Sequence, residues 1–246
     1  MTIFTRIGRK TPLKEIIKKY TPDNYNLYVE PFVGSGAIYL DQDLDGKKAI
    51  INDKDKTLMD AWKAIKKGIT IDESTYNFPL TAVQQEKYYK SLAKNDTESF
   101  LIQIIKQGGT FRGKGTGKIY EPVSISSFKN KVKKAKELKE YMKDTRLFSS
   151  DYNAILKKFD GVNTFFYLDP PYENSKGIYE HAEMNFNELK KILTTLRGKF
   201  LLSLNDSPNI RKEFNNFKQV SVKVKGGNAT TGIASGDRKE LLIMNY

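Results

Sequence analysis

The chain has 246 residues, enough for one sizeable core plus an insert or a small second lobe. It has no cysteine and one histidine, which excludes disulfides, thiolate nucleophiles and cysteine zinc sites and leaves a Ser-His-Asp triad dependent on His181, with no Gly-x-Ser-x-Gly elbow to accompany it. With 42 basic against 29 acidic side chains the net charge is +13, which suits a polyanion such as nucleic acid and equally fits a merely soluble basic protein.

No apolar run approaches the roughly 18 residues of a membrane span. The start, Met1-Thr2-Ile3-Phe4-Thr5-Arg6, lacks the layout of a signal peptide, so a cytoplasmic chain is expected. Leu13, Ile16, Ile17 and Tyr20 recur at helical spacing. Leu27-Tyr28-Val29 reads as a short strand, Gly34-Ser35-Gly36 as a turn, and Ala37-Ile38-Tyr39-Leu40 as the start of a helix. Lys48-Ala49-Ile50-Ile51 is a second strand ending in Asn52-Asp53, with a helix over 58–65 behind it. This alternation up to Lys67 predicts a parallel α/β sheet.

From about Gly68 to Thr145 the alternation stops. Helices are predicted near 83–93 and 97–106, then a glycine-rich loop over 107–118, then a basic helix over 129–143. Alternation resumes with a strand stub at Leu147-Phe148-Ser149, a helix over 152–159 and a strongly apolar strand over 164–168. A helix over 186–196 and a strand over 200–204 follow. The last two strands, 220–224 and 241–244, are joined by a polar loop alone and should pair antiparallel. A sheet domain over 1–67 and 146–246, interrupted by a mainly helical insert over 68–145, is therefore expected.

The sharpest chemical feature is Asp169-Pro170-Pro171-Tyr172, directly after the apolar strand. In open α/β sheets ligands bind beyond the carboxyl ends of strands. Two prolines stiffen the loop and remove two N–H donors, which leaves carbonyls able to face a ligand. An aromatic amine such as adenine N6 has its lone pair delocalised into the ring. Acceptors on both of its protons, here the Asp169 carboxylate and the Pro170 carbonyl, draw it toward a pyramidal, nucleophilic shape. Tyr172 suits the face of a flat base. The competing reading is a strand-to-loop turn that happens to use Pro-Pro.

Glu30-Pro31-Phe32-Val33-Gly34-Ser35-Gly36 follows the first strand. Taken alone, its Gly-x-Gly is as compatible with a plain tight turn as with a ligand loop, and no P-loop lysine follows. Asp53 ends the next strand about 20 residues later, the spacing of an acidic residue that binds ribose hydroxyls. Arg6-x-Gly8-x-Lys10 is open between a carboxylate-binding segment and a solvated basic terminus. In the insert, Phe111, Arg112, Lys114 and Lys118 lie among glycines, which makes that loop the better candidate for phosphate or groove contact. The lysines of the helix that follows are mixed with Glu137 and Glu140 and read more simply as a solvated face.

In this order the pieces resemble the Dam-type, D12 class of N6-adenine DNA methyltransferases. Arg6-x-Gly8-x-Lys10 looks like the family's N-terminal cofactor motif, 30–36 like its motif I, Ile51-Asn52-Asp53 like motif II and Asp169-Pro170-Pro171-Tyr172 like the catalytic motif IV. Ser203-Leu204-Asn205-Asp206 and Glu240-Leu241-Leu242 look like its later strand motifs. The resemblance implies a Rossmann-like α/β sheet, mostly parallel with an antiparallel last strand, and an inserted helical target-recognition region. It implies S-adenosylmethionine as cofactor, held by Arg6, Lys10, Glu30, Phe32, Gly34, Gly36, Asp53, Asp151 and Asp169. It implies catalysis by Asp169, Pro170 and Tyr172 on an adenine flipped from double-stranded DNA. Arg6 stands where the family often has an aromatic residue, and the insert lacks the Asn-Gly-rich stretch of members that read GATC. No metal is expected, since a sulfonium already activates the methyl, and a monomer holds all the parts. The rival expectations are an N6-adenine RNA methyltransferase, a cytosine N4 enzyme, and a catalytically silent DNA-binding homologue.

Overall fold

The computed structural model describes residues 3–4, 10–71, 81–110, 118–172, 184–224 and 238–246. Seven strands form one sheet in the order β3-β2-β1-β4-β5-β7-β6: β1 (Leu27–Glu30), β2 (Lys48–Asn52), β3 (Thr145–Phe148), β4 (Thr164–Leu168), β5 (Lys199–Asn205), β6 (Lys218–Val224) and β7 (Arg238–Met244). The mostly parallel, Rossmann-like architecture is as the sequence led us to expect. The chain groups into two compact units, one of Met1–Arg9, Val33–Asp41 and Ile51–Ser150, the other of Lys10–Phe32, Gln42–Ile50 and Asp151–Tyr246. The insertion expected over 68–145 falls wholly within the first.

In the second unit β4 lies parallel to β1 and to β5, with Val29 beside Phe166 and Leu168 beside Leu202. All of β4 is buried, the mark of a strand covered on both faces, and this is why it reads as an unbroken apolar run. Strand order reverses between β1 and β4, so their carboxyl ends flank the position where such sheets place ligands. β7 runs antiparallel to β6, as the loop-only connection between them predicts, and antiparallel to β5 as well. Two helices, α1 (Lys14–Tyr20) and α6 (Tyr152–Phe159), match their periodic patterns, and α7 (Phe186–Thr195) starts at Asn185, which accepts the Glu188 N–H. The six-residue α8 (Pro208–Glu213) was not foreseen, although Ser207 as cap and Pro208 in the first turn are its local signal.

In the first unit α2 (Lys56–Lys67) starts at Asp55, whose carboxylate accepts the Leu58 N–H at 3.0 Å. Its buried face, including Met59, Trp62 and Ile65, packs on α4 (Asp96–Gly109) and α5 (Ile125–Tyr141). Phe4 and Tyr39 both meet the Trp62 ring edge-on, with centroids 5.2 and 6.1 Å away. Truncating such a core tryptophan costs about 3–5 kcal/mol. Helices stand near all three spans read from the sequence, but α3 (Ala82–Tyr89), opened by a Thr81/Gln84 capping box, stops short of 93, and α4 runs on through Gln107–Gly109, which read as loop. Gln85, fully buried, exchanges two hydrogen bonds with the Val123 backbone at 2.9 and 3.0 Å, which satisfies its amide.

The segment at Ala37 is a further correction. No α-helix starts at Ala37; the segment makes only a 3-10 turn, Tyr39–Asp41. Gly34 and Gly36 take positive φ values of 47° and 67°, and a Cβ on Gly36 would stand 2.6 Å from the Trp62 ring. That left-handed backbone points the chain away from a helical path, and four apolar residues are too few to restart one before Asp41. Among the described residues no helix is long and apolar enough to cross a membrane.

Candidate active site

Asp169-Pro170-Pro171-Tyr172 leaves the carboxyl end of β4, and Glu30 ends β1 beside it. Glu30 is buried and accepts the Tyr28 hydroxyl at 2.5 Å. Burial first, then the Glu30 charge, pushes the Tyr28 hydroxyl well above its ordinary pKa. Burial, then Asp169, does the same to Tyr167 on β4. Both tyrosines therefore stay neutral next to carboxylates, and neither adds charge to the strand ends.

Four side chains meet beyond these strand ends: Lys10, Asp169, Tyr172 and Glu240. The Lys10 ammonium lies 3.0 Å from Asp169 Oδ1 and 3.6 Å from Glu240 Oε2, and it donates to the Tyr172 hydroxyl. It lies at the hydroxyl edge of the Tyr172 ring, 4.4 Å from the ring centroid. The Tyr172 hydroxyl in turn donates to Glu240 Oε2 at 2.5 Å. Lys10 and Glu240 are both buried, so each charge depends on these partners. Desolvation pushes the Asp169 carboxyl up to about 6; Lys10 opposes that shift and Glu240 adds to it. Burial, with Asp169 and Glu240 alongside, raises the Tyr172 hydroxyl far above its ordinary value and keeps it a donor. The arrangement holds a nitrogen donor between the Asp169 carboxylate and the Tyr172 hydroxyl.

Lys10, Asp169 and Tyr172 were singled out from the sequence, and they come together here. Glu240 was read only as part of a later strand. Its signal was one acidic residue at the head of the apolar run Leu241–Met244, visible yet without an address until β7 was seen to run antiparallel beside β5.

The glycine loop is built differently. The Gly34 N–H donates to Asp53 Oδ2 at 3.0 Å, and Asp53 Oδ1 accepts the Asp55 N–H at 3.0 Å. Trp62 Nε1 donates to the Gly34 carbonyl at 3.3 Å. The Val33 N–H donates to the Asn52 carbonyl at 2.8 Å. The Asn52 side chain meanwhile bonds both backbone groups of Ser150, at 2.9 and 3.0 Å. Asp53 thus couples the turn to the end of β2, a contact that its spacing suggested for a ligand but not for the loop itself.

Phe32 lies against Tyr152, ring centroids 5.3 Å apart and planes tilted by 34°. Tyr152 was missed from the sequence, where it read as an ordinary first residue of a helix. Its neighbour Asp151 is exposed and caps α6, accepting the Asn153 N–H at 2.9 Å. In the insert, Lys118 is exposed beside an antiparallel bridge between Thr110 and Ile119 that closes the root of the glycine-rich loop. Arg6, Phe111, Arg112, Lys114 and His181 lie outside the described residues.

The chain is 28% identical to the Type II methyltransferase M.MjaIII of Methanocaldococcus jannaschii, over 97% of this chain and 96% of that one. It is 21% identical to the Type II methyltransferase M.CviBI of Paramecium bursaria Chlorella virus NC1A, over 97% of each. Among solved structures, the C-terminal domain of precorrin-6Y C5,15-methyltransferase from Rhodobacter capsulatus is similar at a TM-score of 0.46 and 8% identity, covering 98% of this chain and 93% of that one. The sequence pattern of one family matches residues 7–110 and 114–227, nearly the whole chain, and with it the chain belongs to the D12 class of N6 adenine-specific DNA methyltransferases.

Proposed function

We propose that this protein transfers a methyl group from S-adenosylmethionine to the N6 amine of an adenine in double-stranded DNA, after that base has left the helical stack. The observation that carries this reading is the nitrogen donor held by the Asp169 carboxylate, at 3.0 Å, beside the Tyr172 side chain, beyond the β1/β4 switch point. Lys10 is that donor here. An adenine amine offers the same donor chemistry on a flat ring. Asp169 and the Pro170 carbonyl accept its two protons, and Tyr172 covers the ring face. Flipping the base costs a few kcal/mol, and the pocket repays it by stacking and hydrogen bonding.

The residues fit the cofactor by chemistry. Asp53 is an acceptor suited to ribose hydroxyls, and the backbone at Gly34 and Gly36 admits close approach. Lys10 suits the amino-acid carboxylate, with Glu30 on the amine side and Arg6 nearby in sequence. Phe32, with Tyr152, and Asp151 are assigned to the adenine. S-adenosylmethionine supplies, when bound, a methyl group already activated on a sulfonium. The chain's own work is to orient the target amine, keep Asp169 ionised and exclude water, so positioning provides much of the rate. The insert over 68–145 is assigned to target recognition, with Phe111, Arg112, Lys114 and Lys118 toward the DNA.

The test incubates the protein with labelled S-adenosylmethionine and unmethylated duplex DNA, beside Asp169→Ala, with RNA as competitor. Label recovered as N6-methyladenine in DNA and lost in the variant supports the reading. Label in RNA alone, or on cytosine, overturns it.

A further inference from the structure

We propose that Glu240 is a positioning residue of the amine-binding site: its carboxylate holds the Tyr172 hydroxyl and the Lys10 ammonium so that the Tyr172 ring and Asp169 face the target amine together. The inference rests on the reading of Asp169 and Tyr172 as the amine-binding pair. Three observations carry it.

The first is topological. β7 runs antiparallel to β5 with Glu240 opposite Asn205, so the beginning of β7 reaches the carboxyl ends of the parallel strands. Continued parallel pairing would have brought a strand's last residues there instead. The second is burial. Glu240 is 5% exposed, and Leu241, Leu242, Ile243 and Met244 that follow it are fully buried and apolar. A buried carboxylate costs several kcal/mol unless partners repay it. Packing of β7 alone gives no reason for one at this position. The third is the contact set. Glu240 Oε2 receives the Tyr172 hydroxyl at 2.5 Å and lies 3.6 Å from the Lys10 ammonium.

Tyr172 stands at the end of a loop whose prolines stiffen the backbone but leave its ring free to turn about two bonds. The hydroxyl anchor on Glu240 removes that freedom before substrate arrives, which is the entropy that a positioned group must lose in advance. Glu240 also holds the far side of Lys10, and Lys10 has to leave Asp169 when an amine takes its place. Among the described residues, the charged and titratable groups facing Asp169 are Lys10 before α1, Glu240 on β7, Tyr167 on β4 and Tyr172 on its own loop.

The test uses the full chain with Glu240→Gln and Glu240→Asp. Glutamine keeps an acceptor for the Tyr172 hydroxyl and removes the charge; aspartate keeps the charge and falls short of the hydroxyl. Two readouts are taken. Steady-state methyl transfer gives kcat and the KM for DNA. Carbon NMR of aspartate-labelled protein without DNA, assigned with Asp169→Asn, gives the Asp169 titration directly.

Glu240→Asp is expected to lower kcat about tenfold to a hundredfold with little change in KM, and to leave Asp169 titrating near 6 as in the wild type. Glu240→Gln is expected to move the Asp169 midpoint and the acid limb of kcat/KM to lower pH together. Wild-type kcat in Glu240→Asp, or an Asp169 midpoint that ignores the charge in Glu240→Gln, overturns the proposal. Should Glu240→Gln fail to fold, the kcat of Glu240→Asp decides alone. If the wild-type protein methylates no DNA while the Asp169 midpoint still follows the Glu240 charge, the functional reading fails and the link between these two residues stands.

Discussion

After β4, Asp169 and Tyr172 are held by charge and hydroxyl contacts to Lys10 and Glu240, whereas the turn at Gly34 and Gly36 is held by backbone geometry, with φ values of 47° and 67° and an Asp53 carboxylate on the Gly34 N–H. Side chains that meet through charge tune a site's proton affinity, and so they respond to pH. A turn held by backbone conformation responds to the volume of a single atom. The difference matters because the two regions are proposed to serve different ligands. A target amine needs an ionised acceptor, while a nucleoside needs a close, rigid backbone.

The largest effect expected follows from the charged region. Asp169→Ala should lower methyl transfer by about a thousandfold, because it removes the acceptor for the amine proton. Wild-type kcat/KM should rise with pH through about 6, where Asp169 of the free enzyme ionises, as a profile at low substrate would reveal. The same carboxyl has a stability signature of defined sign. Its folded pKa lies above the unfolded value of 3.8, so the folded chain binds the proton more tightly. Stability contributed by this group is therefore present below about 3.8 and is lost as pH rises through about 6. A shift of this size corresponds to about 3 kcal/mol. Urea unfolding at pH 4 and pH 7 should accordingly lose less stability in Asp169→Asn than in the wild type. Parallel behaviour of the two proteins would mean that desolvation of Asp169 does not govern this site.

The backbone region predicts a smaller effect that pH does not touch. Gly36→Ala and Gly46→Ala start from nearly identical φ values, 67° and 66°. Each should lose about 1–2 kcal/mol to left-handed strain. Only at Gly36 does the added carbon collide with the Trp62 ring, at 2.6 Å, while Gly46 has nothing within 4 Å. Gly36→Ala should therefore lose about 1–3 kcal/mol beyond Gly46→Ala in chemical denaturation. Equal losses would place the rigidity of this turn in φ alone and remove Trp62 from the account.

The smallest effect concerns charge without burial. Lys118 is exposed at the root of the glycine-rich loop. Lys118→Ala should reduce the slope of log affinity for duplex DNA against log salt by about 0.9, one phosphate contact, without altering the pH profile. An unchanged slope would remove Lys118 from the DNA-facing set.

How much of this was legible beforehand depended on range. Asp169-Pro170-Pro171-Tyr172 was readable because a buried parallel strand must be apolar throughout and must then break. Gly34, Gly36 and Asp53 were readable as a turn and a spacing. The helix expected at Ala37 was not there, because local propensity says nothing of the Trp62 ring under Gly36. Tyr152 was invisible as a partner of Phe32, since helical position does not report which ring a side chain will meet.

The sequence by itself determined what repeats at short range: the alternation of strands and helices, the motif at each strand end, and the chemical types placed there. Periodic burial and turn chemistry are local constraints, and they leave local marks. Only the tertiary structure decided that Lys10 meets Tyr172, 162 residues away, and that Glu240 meets it from 68 residues the other side. Those contacts depend on strand order and on the reversal of β7. A reversal of direction changes which end of a strand reaches the site while leaving the strand's own apolar pattern the same.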